Sequence, residues 1–171
     1  ALHIAATITA GVLAAMGWPA LGVVVIVIGA GLVGMLSWDR NGRQSGIGVL
    51  YSGLPAVAMI WFRNATPNGL DAILYLLLVV IATDTGAYFA GRLIGGPKLW
   101  PRVSPNKTWS GLGGAVTAAA VVGMLFAFWL PASVARLAVM GAVLAVIAQG
   151  GDLFESALKR KYGTKDASSL I

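Results

Sequence analysis

VARLAVMGAVLAVIAQGGDLFESALKRKYGTKD, residues 134–166, decides the reading of the whole chain. Its first part is apolar: between Leu137 and Ala148 no side chain is polar or charged. Its second part gathers carboxylates and cations within a few helical turns. An apolar run of about 20 residues is what a helix needs to cross roughly 30 Å of hydrocarbon. The run therefore reads as a spanning helix that ends in a charged segment at the membrane surface.

The rest of the chain repeats the apolar half of this pattern. Of 171 residues, 58% are hydrophobic and only 11% are charged, far from the usage of a soluble domain. Apolar stretches at 2–17, 20–38, 45–62, 70–91, 109–130 and 134–162 predict six transmembrane helices. Pro19, DRNGRQSG, RNATPNG, a long basic loop and Pro131 separate them. The expected fold is an all-α, polytopic integral membrane helical bundle. It reads as one transmembrane domain over residues 1–171, with no separate soluble domain, and is expected to be incomplete at both ends. The first helix is the shortest and reads equally as the tail of a helix begun upstream.

With no cysteine, thiolate chemistry, disulfides and zinc–thiolate sites are excluded, and His3 has no histidine or cysteine to join. The net charge of +6 would suggest nucleic acid in a soluble protein, but here it follows topology instead. Six crossings place Arg40, Arg43, Arg92, Lys98, Arg102, Lys107, Lys159, Arg160, Lys161 and Lys165 on one face. Only Arg63 and Arg136 remain for the other. By the positive-inside rule the basic face is cytoplasmic. No nucleic-acid partner is expected; membrane lipids are.

Two carboxylates interrupt apolar helices: Asp84 in LVVIATDTGAYFAG and Asp152 in AVIAQGGDLFESALKR. An ionised group in hydrocarbon costs roughly 2.5–3.5 kcal/mol on insertion scales, so each must face a protein-lined or hydrated cavity. Both helices run toward the cytoplasm in this topology, so the two carboxylates lie at similar depth. The plainer reading is that each only pairs with a nearby cation or caps a helix break at Gly150 and Gly151. On the sixth helix Asp152, Glu155, Ser156 and Lys159 fall at i, i+3, i+4 and i+7, on one side. Such a stripe offers oxygen ligands for a hard divalent cation and, a turn nearer the cytoplasm, a cation for phosphate. Magnesium commonly uses one or two protein carboxylates together with substrate phosphates. KRKYGTK alone reads as readily as a juxtamembrane segment on anionic lipid headgroups.

GRLIGGPKLWPRVSPNKTWSGLGG is the second constellation. It carries Arg92, Lys98, Arg102 and Lys107, with Ser104, Asn106 and Thr108 just before a helix start. Helix N-terminal amides beside cations suit an anion, although SPNKT also reads as a turn and an N-cap. Trp100 and Trp109 mark the membrane interface.

These residues resemble the phosphatidate cytidylyltransferase (CDP-diacylglycerol synthase) family. Its signature runs Ser, two residues, Lys-Arg, four residues and Lys-Asp. Ser156, Lys159, Arg160, Lys165, Asp166, Ser168 and Ile171 match in spacing, and the chain stops before the Pro-Gly-His-Gly-Gly and Asp-Arg-x-Asp ending. ATDTGAYFAGRLIG is similar to the family's Asp-x-Gly-Ala-Tyr-Phe-x-Gly-Arg helix, and SPNKTWSGLGG to its Ser-Pro-x-Lys-Thr-x-Glu-Gly segment. Ser110 stands where that family has Glu. The resemblance covers roughly residues 45–171.

What the resemblance implies is transfer of CMP from CTP to phosphatidic acid, giving CDP-diacylglycerol and pyrophosphate, with Mg2+ as cofactor. Asp152, Lys159 and Lys165 are then the catalytic candidates. Asp152, Asp84 and Glu155 are the candidate metal ligands. Ser104, Asn106, Lys107, Thr108, Ser156, Arg160 and Asp166 are the candidate substrate-binding residues. The expected location is a bacterial inner (cytoplasmic) membrane with the active site facing the cytoplasm. A homodimer is suggested by the glycine-rich helices. Residues 1–171 alone are not expected to be active. Two competing readings are an ion-coupled transporter with Asp84 and Asp152 as a relay, and a CTP-dependent polyprenol or phytol kinase.

Overall fold

A computed structural model describes residues 2–36, 42–65, 67–130 and 132–161. Six helices follow in order: α1 Leu2–Ala15, α2 Pro19–Leu36, α3 Gly42–Ala65, α4 Gly69–Leu93, α5 Trp109–Phe126 and α6 Val134–Lys161. A short hairpin of β1 Lys98–Trp100 and β2 Ser104–Thr108 lies between α4 and α5. Five of the helices, α2 to α6, are long and apolar enough to cross a membrane. The protein is an all-α polytopic membrane protein in its described residues, with the hairpin as its one departure. All six expected helices form, five of them at spanning length; α1 has 14 described residues, about 21 Å at 1.5 Å rise.

The chain divides into two compact units, Ala1–Ile73 and Leu74–Ile171. In the first, the helices meet through small residues. Ala6, Ala10 and Ala14 repeat every fourth residue along α1 and are buried with Ile26, Ala30, Val49 and Val57. Gly17, at φ 89°, closes α1. Its amide donates to Ala14 O and that of Trp18 to Leu13 O, the paired bonds of a Schellman end. Pro19 then opens α2, where a missing N–H costs nothing. His3, which the sequence left without a partner, meets Ser52 Oγ at 2.9 Å.

In the second unit, α4, α5 and α6 pack around Tyr75, Val79, Ala119 and Ala145. Tyr75 Oη donates to Leu137 O at 2.7 Å, tying α4 to α6. Between α4 and α5 the backbones come so close that neither contact glycine has room for a side chain. A Cβ on Gly86 would lie 2.6 Å from Gly114 O, and one on Gly114 would overlap Ala90 Cβ. Gly113, one residue earlier, has nothing within 4 Å. Trp109 and Trp129 bracket α5 and are 57% and 77% exposed. The 18 residues of α5 rise by about 27 Å, close to the spacing of interfacial aromatic belts. α5 ends at Phe126, four residues short of the expected end at 130, in turns at Phe128, Trp129 and Leu130.

The loop expected between α4 and α5 carries the hairpin. Gly95 and Gly96, at φ 65° and 103°, turn the chain out of α4 in conformations that favour glycine. The strands pair Lys98 with Thr108 and Trp100 with Ser104, so β1 advances two residues while β2 advances four. That irregularity accommodates Pro105, which cannot donate to a ladder, and re-aims the residues after it.

The neighbouring glycines of α5 should respond in opposite ways. Gly113→Ala should raise stability by roughly 0.5–1 kcal/mol, since only helix propensity changes. Gly114→Ala should lower it by roughly 1–3 kcal/mol through overpacking. Thermal unfolding of the two variants in one detergent distinguishes them.

Candidate functional site

Within the second unit, α4, β2, α5 and α6 enclose a cleft of about 550 Å³. From α4 it receives Asp84, Ala87, Tyr88, Gly91 and Arg92; these follow the 3.6-residue period, so they form one stripe. β2 supplies Asn106, Lys107 and Thr108, α5 supplies Gly111 and Leu112, and α6 supplies Gln149 and Asp152. The two intramembrane carboxylates singled out in the sequence thus line the same cleft.

Lys107 joins the hairpin to α6. Its Nζ donates to Asp152 Oδ2 at 2.8 Å and to Gln149 Oε1 at 2.7 Å. The lysine side chain is 20% exposed and that of Asp152 is 54% exposed. A pair this open to solvent is held by about 0–1 kcal/mol, so a ligand can part it. Asp84 makes no side-chain hydrogen bond or ion pair with a described residue. On α4, Arg92 Nη1 donates to Tyr88 Oη at 2.8 Å, and its guanidinium lies 5.9 Å from that ring's centre. No carboxylate among the described residues pairs with Arg92.

Thr108 is the N-cap of α5: its backbone is extended, and its Oγ1 accepts from Gly111 N at 3.1 Å. The same oxygen meets Ser110 Oγ at 3.0 Å, and Ser110 donates in turn to Gly95 O. Trp109 N donates to Pro97 O. Two amides of the first turn are therefore engaged within the protein, which narrows the anion site expected there. Ser110, standing where the resembled family has Glu, serves as a local tie.

The remaining sequence candidates are placed as follows. Ser104 is half-buried at the start of β2 and does not line the cleft. Glu155, expected beside Asp152 as a metal ligand, instead pairs with Lys159 one turn onward at 2.7 Å and does not line the cleft. A step of three residues rotates a helix side chain by about 60°, enough to leave a narrow cleft. Ser156 and Arg160 lie on α6 outside the lining residues. Lys165 and Asp166, with Ser168 and Ile171, fall outside the described residues. Gln149 and Tyr88 were not among the candidates. The signal for Gln149 was present, a lone amide in an apolar run three residues before Asp152.

Asp84 and Asp152, with the amide oxygen of Asn106 in the same lining, are hard oxygen donors of the kind that suits a magnesium ion completed by substrate phosphates. Among the described residues no cluster of three or more His, Cys, Asp and Glu side chains forms a closed protein cage.

The model of the cytidylyltransferase family matches residues 1–171. A phosphatidate cytidylyltransferase of Brucella suis biovar 1 (strain 1330) is 39% identical over 147 residues, covering 85% of this chain and 54% of the relative. That of Bacillus subtilis (strain 168) is 39% identical over 127 residues, 73% of this chain and 47% of the relative. One from Staphylococcus haemolyticus (strain JCSC1435) is 38% identical over 117 residues, 67% and 45%. The chain spans about half the length of the curated relatives it matches. No solved structure matches it.

Loss of the cap should loosen the hairpin–helix junction. Thr108→Ala should cost about 1 kcal/mol, with Thr108→Ser close to the original. Amide hydrogen exchange over the first turn of α5, faster in the alanine variant alone, checks this.

Proposed function

The chain belongs to the cytidylyltransferase family, and from that premise we propose that it carries the reaction cleft of a phosphatidate cytidylyltransferase. The observation that supports this reading best is the meeting of Asp84, Asp152, Lys107 and Arg92 around one cleft at the polar ends of apolar helices. A soluble nucleotide and a lipid phosphate have to meet at such a level. CTP is cytosolic, so the cleft faces the cytoplasm, and the relatives' sources suggest a bacterial inner membrane.

In the proposed reaction a phosphate oxygen of phosphatidic acid attacks the α-phosphorus of CTP. The new P–O bond forms as the bond to the β-phosphate oxygen breaks, and pyrophosphate leaves. The side chains have little covalent work; they position the groups and offset their charge. Asp84 and Asp152 are the carboxylates that would hold magnesium, whose chemistry is neutralisation of phosphate charge. Lys107 from β2 and Arg92 from α4 bring positive charge to the cleft, and Asn106 offers a hydrogen-bonding amide. Thr108 shapes the loop that presents Lys107. Lys159 and Arg160 lie farther along α6, toward the aqueous side, where phosphates approach. Lys165, Asp166, Ser156 and Ser104 belong to the site through the resemblance of their motifs.

The test uses the full-length membrane protein with phosphatidic acid, magnesium and CTP labelled in turn at the α- and γ-phosphate. Label from the α position alone should enter the lipid. Lipid label from the γ position would reverse the assignment in favour of a kinase. Asp152→Asn should reduce α-label transfer by on the order of 10²-fold or more, because the charge is removed with little change in shape. Insertion and thermal unfolding should change little. Near-normal transfer by this variant would remove Asp152 from the reaction.

A further inference from the structure

Gln149 is 5% exposed, one of three buried polar side chains in the described residues. It follows the apolar run of α6, where an amide is costly unless its polar atoms are bonded. Its Oε1 accepts from Lys107 Nζ at 2.7 Å, across 42 residues of sequence. An ammonium has three protons. Gln149 takes one and Asp152 another, and no described residue takes the third.

The two acceptors differ in kind. Asp152 is charged and its side chain is 54% exposed, so an ion or ligand entering the cleft reaches it and can draw it off the lysine. Gln149 is neutral and enclosed. It directs the ammonium without offsetting its charge, and a phosphate gains nothing by displacing it. Gln149 and Asp152 stand at i and i+3 on α6, so one lysine can touch both at once.

We infer that Gln149 is a positioning residue: it holds Lys107 in place while the ammonium exchanges Asp152 for an incoming phosphate. The inference rests on reading the cleft as a phosphate-transfer site. Without substrate, Asp152 balances the lysine; with substrate, the phosphate does, and Asp152 is released for its own role. Gln149 stays bound to the lysine in both arrangements. An anion therefore competes with Asp152 and cooperates with Gln149.

That opposition gives a test independent of turnover. The probe is inorganic pyrophosphate, bound by the full-length protein in detergent with divalent cations removed by chelation and followed by calorimetry. Gln149→Leu should weaken binding about tenfold, the scale of one hydrogen bond to a charged group. Gln149→Glu keeps the shape but gives the lysine a second carboxylate, and should weaken binding further. Asp152→Asn should strengthen it, because the competitor for Lys107 has lost its charge. A residue that merely supported the fold would not make the two sites move in opposite directions.

Thermal unfolding is measured for each variant. If Gln149→Leu does not fold, the isosteric Gln149→Glu carries the comparison with Asp152→Asn. Wild-type affinity in the Gln149 variants overturns the inference. So does weakening by Asp152→Asn, or an unmodified protein that does not bind pyrophosphate. The α-label assay on the same preparation separates the two claims. Lipid label with a flat pyrophosphate pattern rejects the role of Gln149 alone. The predicted pattern without lipid label rejects the transferase reading and leaves the lysine's two-acceptor arrangement in place.

Discussion

The cleft depends on the close approach of α4 and α5. Lipid offers apolar side chains nearly as good a setting as protein does, so helices in a bilayer gain little by burying leucine. They gain from backbone-level contact, which large side chains prevent. At Gly86 and Gly114 the separation leaves no space for a methyl group. Farther along, a Cβ on Gly91 would lie 3.0 Å from Thr108 Oγ1. The same seam therefore fixes both the helix pair and the cap that ends the hairpin. Once Thr108 is fixed against α4, the preceding Lys107 is committed to a narrow range of positions, and α6 supplies its acceptors.

The charges in this arrangement are placed by what each can reach. An ionisable group near hydrocarbon needs a partner or water. Asp152 has Lys107, and Arg92 has the phenol and ring face of Tyr88. Neither arrangement is closed: the carboxylate is half-exposed, and the phenol leaves the guanidinium charge undiminished. Asp84 has no side-chain partner among the described residues and stands at the cleft surface, where an ion or water can meet it. A fully satisfied network would give a rigid core. This one leaves charge available to a ligand.

Much of this was legible in the sequence because the bilayer writes strong signals. Long apolar runs placed α2 to α6, and the cost of carboxylates within them pointed to Asp84 and Asp152, which do share a cleft. The plainer reading of Asp152 also had substance, since it is paired with a cation, but the helix break which that reading allowed at Gly150 and Gly151 does not occur: α6 runs unbroken there, as expected for a single helix over 134–162. Thr108 was legible as a cap from its place before an apolar helix. The hairpin was not: a three-residue strand is too short to show alternation, and Pro105 argued against any strand. Gln149 was passed over because an uncharged residue raises no alarm in a search for charges, although its burial costs much the same kind of desolvation. Glu155 was drawn toward Asp152 by helical spacing alone. Spacing fixes direction only to within a broad arc, and its choice of Lys159 over the cleft needed coordinates.

The continuity of α6 explains how one helix serves both lipid and ligand. Its polar groups follow an order set by depth: a buried neutral amide at Gln149, a half-exposed carboxylate at Asp152, the Glu155–Lys159 ion pair, then Arg160 and Lys161 in the last turn. Each step adds charge as the surroundings become more polar, so each group sits where its desolvation is tolerable. The cations at the end also oppose the negative pole of the helix dipole. A break at the glycines would have uncoupled Gln149 from Asp152. Unbroken, the helix holds the amide and the carboxylate three residues apart, and that fixed interval lets a single lysine from the hairpin bridge the apolar and aqueous parts of the cleft.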